Sequence, residues 1–117
     1  MPQIINIDSV NEAKSIMQDK FPLMIEYFLE DTEGYIKTMK EGVAESDVEK
    51  IKSPAHTIKS SAYQIGAEKM SEIAKEIEEV AGEMIINGEN NVDCMVERIQ
   101  ELDQVFTESK SELNKLV

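Results

Sequence analysis

Residues 53–67 read SPAHTIKSSAYQIGA, and the apolar positions that run through this stretch decide the fold. Val48, Ile51, Ala55, Ile58, Ala62 and Ile65 recur at alternating steps of three and four, which lines one face of an α-helix. Gly66 ends the stripe, as glycine does where a helix closes in a left-handed turn. The helix is expected over residues 47–65. Pro54 lies inside the pattern. Proline removes a backbone hydrogen bond from a helix interior but suits the first helical position, so a kink or short break is expected near Ser53, with Ser53 as a fresh N-cap.

The same period extends outward in both directions. Ser9 and Glu12 have the spacing of a capping box, and Val10, Ala13 and Met17 follow at steps of three and four, predicting a short helix over 9–19. Phe21, Ile25, Phe28, Ile36, Met39 and Val43, with Thr32 filling one step, predict a helix over 21–44 that Gly34 and Gly42 weaken. Beyond Gly66, the wider apolar face of Met70, Ile73, Ala74, Ile77, Val80, Ala81 and Met84 predicts a helix over 67–86. NGENN at 87–91 reads as a loop. Val92, Met95, Ile99, Leu102, Phe106, Ser109, Leu113 and Leu116 then predict a helix over 91–116, expected to be the longest. Four long amphipathic helices with short connections and no strand pattern imply an all-α fold. It is an antiparallel, up-down-up-down four-helix bundle, with the short additional N-terminal helix packed across one end.

At 117 residues the chain suits one domain, expected over 1–117, and its 41% hydrophobic content suits a buried core over disorder. Twenty-four acidic against twelve basic residues give a net charge of -12, which repels phosphate backbones and anionic lipid. Neither nucleic acid nor membrane is an expected partner. The N-terminus MPQIINIDSV lacks the basic and apolar regions of a signal peptide, and no apolar run is long enough to span a bilayer. Cys94 is the only cysteine, so no intrachain disulfide can form, and a cytoplasmic location is expected. The seven methionines are spread along the helix stripes, as core fillers are.

His56 is the only histidine. At 100° per residue it points roughly 130° away from the mean direction of the apolar stripe, which puts the imidazole on an exposed flank. Lys59 and Ser60, one turn further on, share that face. Folding the chain back at Gly66 and Ala67 mirrors position 56 onto position 78, which is Glu78. A carboxylate there would accept a hydrogen bond from one ring nitrogen and fix the tautomer, leaving the other nitrogen as a nucleophile. That constellation suits covalent phosphoryl acceptance, with the Lys59 ammonium offsetting charge on the transferred oxygens. Spacing alone does not decide between this and an idle surface histidine, because polar neighbours at three and four occur on every exposed helical face.

The run His56-Thr57-Ile58-Lys59-Ser60-Ser61-Ala62-Tyr63-Gln64-Ile65-Gly66-Ala67 resembles the signature of histidine-containing phosphotransfer (HPt) domains, roughly H-x-[LI]-K-G-x-[SA]-x-x-x-G-A. The resemblance extends to FLEDTEGYIKTMKEGV before the motif and GAEKMSEIAKEIEE after it, with Glu78 at the family's terminal acidic or amide position. It implies that His56 is phosphorylated at Nε2, that Lys59 steadies the phosphoryl group and that Glu78 orients the ring. Ser60 stands where the family usually has glycine and is read as a tolerated variation, one whose hydroxymethyl could slow a partner's approach or hydrogen-bond the phosphate. The resemblance further implies a monomeric phosphorelay carrier, not an enzyme with ATP-dependent kinase activity of its own. It would need no cofactor, since Mg²⁺ is expected only in the partner receiver domain. The implied partners are response-regulator receiver domains and a hybrid sensor histidine kinase, with the chain acting as a free-standing shuttle or as a domain of such a kinase.

The competing reading is an acidic helical binding module, including a degenerate HPt domain that docks receivers without phosphotransfer. A metal centre in the bundle core would need more than one histidine and a Glu-x-x-His pair, and a hydrolase would need a serine in a strand-to-helix elbow. Neither pattern is in the sequence.

Overall fold

The computed structural model describes residues 2–117, so Met1, part of the expected domain over 1–117, lies outside the described residues. Helix α1 spans Ile7–Met17, α2 Phe21–Glu45, α3 Glu49–Gln64, α4 Glu68–Asn87 and α5 Val96–Asn114, with 3₁₀ turns at Gln18–Lys20 and Val92–Met95. No strand occurs among the described residues. Each of α2–α5 packs against the next, and α5 packs back on α2. Short connections force neighbours to run antiparallel, so the result is an up-down-up-down bundle measuring 46 × 25 × 20 Å. Its core is built from the stripes, including Phe21, Ile25, Met39, Ile51, Ile58, Met70, Ile77 and Leu102.

Three local expectations change. No break occurs at Ser53: α3 is one helix from Glu49 to Gln64 with Pro54 inside it. Asp47 Oδ1 already accepts the Lys50 N–H, capping the helix about two turns before the proline, and Ile51, fully buried, holds that first turn down. The cost is then one missing backbone bond in an anchored helix. Secondly, α1 starts at Asn6, whose side chain accepts the Ser9 N–H; Ser9 is inside the helix rather than at its cap. Thirdly, the longest helix is α2, at 25 residues, while α5 has 19. Val92 and Met95 are both buried from a 3₁₀ turn, whose three-residue repeat stacks them on one side, and α5 begins only after it.

Two features place the site. Ala55 and Ala62 on α3 and Ala74 and Ala81 on α4 are fully buried, and α3 and α4 make the most extensive contact in the bundle. Small side chains let the two backbones approach closely, so polar groups at the seam can reach across it. The turn between them fixes the register. Gly66 N–H donates to the Tyr63 carbonyl at 3.2 Å and Ala67 N–H to the Ala62 carbonyl at 2.9 Å, the paired bonds of a Schellman close. Gly66 has φ +88, and a Cβ there would lie 2.9 Å from the Asn6 carbonyl oxygen, so the position requires glycine twice over. The N-terminal segment covers this turn: Asn6 N–H donates to the Gly66 carbonyl at 2.7 Å, and Lys69 N–H donates to the Gln3 carbonyl at 2.9 Å.

Candidate functional site

His56 projects from the flank of α3, with its side chain 64% exposed. The register set at Gly66 brings Glu78 of α4 opposite it, and His56 Nδ1 is hydrogen-bonded to Glu78 Oε2. Lys59, one turn along α3, donates from Nζ to the other carboxylate oxygen, Oε1, at 2.5 Å. One carboxylate therefore serves both groups, and it is only 16% exposed.

Burial pushes the Glu78 carboxyl up, and the hydrogen bonds from Lys59 and His56 more than offset it, so the group is held below its ordinary value of 4.5. Near neutral pH Glu78 is ionised and can only accept. The proton in its bond with His56 therefore belongs to Nδ1, and Nε2 of the neutral ring carries the free lone pair. The arrangement is an exposed imidazole with a fixed tautomer, a nucleophilic nitrogen turned away from its orienting carboxylate, and an ammonium one turn away.

Of the four residues singled out from the sequence, His56, Lys59 and Glu78 come together. Ser60 is exposed on α3 and takes no part in the Glu78 cluster. A fifth residue went unnoticed. Ser71 of α4 donates from its hydroxyl to the Lys59 carbonyl at 2.7 Å. Its one visible trace is a serine within the apolar face between Met70 and Ile73.

The Hpt domain profile matches residues 23–112. The chain belongs to the Hpt domain family. Among relatives of this HPt domain, phosphorelay protein LuxU of Vibrio vulnificus (strain YJ016) is 28% identical over 95 residues, covering 80% of this chain and 83% of that protein. Phosphorelay protein LuxU of Vibrio harveyi is 30% identical over 83 residues, covering 66% and 73%. In fold, the HPt domain is similar to histidine-containing phosphotransfer protein B (HptB) from Pseudomonas aeruginosa PAO1, with a TM-score of 0.87 over 98% of this chain and 95% of that one, at 16% identity.

Proposed function

We propose that His56 is the residue on which this phosphorelay intermediate carries its phosphoryl group, exchanging it with the aspartate of response-regulator receiver domains. The observation that carries the reading is the shared carboxylate, which fixes the tautomer of an exposed imidazole and holds a lysine beside it.

In the forward direction His56 Nε2 attacks the phosphorus of a partner's aspartyl phosphate. The Nε2–P bond forms, the P–O bond to the acyl oxygen breaks, and the partner's aspartate leaves as a carboxylate. The proton stays on Nδ1. The ring gains positive charge as the bond forms, and the Glu78 carboxylate stabilises it. Lys59 supplies positive charge to the oxygens of the transferred group. Reversal of the same steps returns the phosphoryl group to a receiver. Any Mg²⁺ that assists belongs on this reading to the partner's acidic pocket, and the phosphate comes from an upstream hybrid sensor kinase. A monomeric carrier in the cytoplasm, without kinase activity of its own, completes the reading. Among the described residues no helix is long and apolar enough to cross a membrane.

The test is transfer of radiolabelled phosphoryl from a panel of phosphorylated receiver domains to the native chain and to His56→Gln. Acid-labile, base-stable label on the native chain alone is the expected result. Absence of label from every donor, with receiver binding retained, would replace the proposal with a docking module.

A further inference from the structure

Lys59 is fastened to α4 at both of its ends. Its ammonium meets Glu78 Oε1 at 2.5 Å, and its backbone carbonyl accepts the Ser71 hydroxyl at 2.7 Å. Ser71 and Glu78 are separated by two helical turns on one face of α4, so their Cα atoms lie about 10 Å apart along the helix and the single Lys59 residue bridges between their side chains. Between them the residue has little freedom to slide or rotate against α4.

The Ser71 bond differs from the other serine and threonine hydroxyl bonds among the described residues. Thr38, Thr57, Ser61, Thr107 and Ser109 each donate to the carbonyl four residues earlier in their own helix, a local bond that carries no information about a neighbour. Ser71 is 8% exposed and donates across the α3–α4 seam instead. A bond of that kind fixes both the rise and the rotation of α3 against α4 at the residue that accepts it. The accepting residue is the lysine of the site.

We infer that Ser71 is a positioning residue: by holding the Lys59 carbonyl on α4 it sets the point from which the Lys59 ammonium reaches Glu78, and so keeps Glu78 aligned with His56. Its effect on transfer rests on the reading of His56 as the phosphoryl acceptor. Its effect on the unphosphorylated cluster does not, which lets the two be tested apart.

The experiment compares Ser71→Ala and Ser71→Thr with the native full-length chain. In the unphosphorylated protein, ¹³C shifts follow the Glu78 carboxyl titration and ¹⁵N shifts of the His56 ring report its tautomer; transfer from a phosphorylated receiver domain gives the rate. For Ser71→Ala the expected result is a Glu78 titration moved up towards its ordinary range, a weaker preference for the Nδ1–H tautomer, and transfer slowed about tenfold, as small misplacements of a reacting group allow. Ser71→Thr keeps the hydroxyl and should restore all three. If Ser71→Ala leaves the Glu78 titration and the His56 tautomer native, the positioning role is wrong, however far the melting temperature falls. Should the alanine variant fail to fold, Ser71→Cys keeps nearly the same volume with only a weak donor, and the same outcomes decide. If the native chain accepts no phosphoryl group, the reading of His56 fails, and the titration and tautomer still decide for or against Ser71.

Discussion

Lys40 Nζ reaches Asp103 across α2 and α5 at 2.5 Å, and Lys59 Nζ reaches Glu78 across α3 and α4 at the same distance. The chemistry is identical and the surroundings are not. Lys40 and Asp103 are 54% and 40% exposed, so water and salt screen them, and such pairs contribute about 0–1 kcal/mol. Lys59 and Glu78 are 34% and 16% exposed, and Glu78 carries a second donor in His56. A lysine–carboxylate distance therefore says little by itself. Partial burial and the second donor turn a surface pair into a device that controls a neighbouring proton.

The largest effect is expected at the histidine. His56→Gln should abolish phosphoryl acceptance while shifting stability by no more than about 0.5 kcal/mol, because the side chain is largely exposed. Denaturant unfolding checks the second half, and a large loss of stability would contradict the exposed placement. Next come the two lysines. Lys59→Ala should slow transfer about 10²-fold, the loss expected when one preorganised donor to a developing charge is removed. Lys40→Ala should leave the rate unchanged, and equal effects from the two would mean that the burial of Glu78 and its second donor confer nothing on Lys59.

A third prediction uses pH. The Glu78 carboxyl is depressed in the folded protein, so its contribution to stability is present in full above its ordinary value of 4.5 and is lost as pH falls through the lower folded value. Unfolding midpoints of the native chain and Glu78→Gln, measured from neutral pH downward, should therefore converge in acid. A difference that stayed constant across that range would mean that Lys59 and His56 do not lower the Glu78 carboxyl in the folded protein. The smallest expected effect is at Ser60. Ser60→Gly should transfer at an equal or higher rate, and marked slowing would show that the hydroxyl takes part.

Much of the site was legible because a helical hairpin is symmetrical about its turn. Once Gly66 and Ala67 were read as the fold-back, His56 and Glu78 were paired by counting, and the stripe fixed which way the imidazole faces. Ser71 was not legible. A buried hydroxyl bonded to a backbone carbonyl of another helix obeys no spacing rule, and its acceptor exists only after packing. The expected break at Ser53 failed for a related reason. A local rule about proline was outweighed by Asp47 as an earlier cap and by the burial of Ile51, which only the assembled bundle supplies. Asn6 likewise replaced Ser9 as the cap of α1 because the same residue is engaged with Gly66 and Glu68 of the distant turn.

That engagement of the first residues with the α3–α4 turn has a kinetic side. The three bonds that build the site close over 12 to 22 residues of chain, whereas Asn6 Nδ2 meets Glu68 Oε2 across 62. The short-range set belongs to one hairpin and the long-range clasp to the whole chain, so the clasp is the natural first element to let go in a local opening. Residues 2–6 can then lift from the start of α4 while His56, Lys59, Ser71 and Glu78 stay joined. Native-state amide exchange distinguishes this order: the Lys69 amide should exchange ahead of the buried amides of the hairpin, and equal protection would mean that clasp and hairpin open as one.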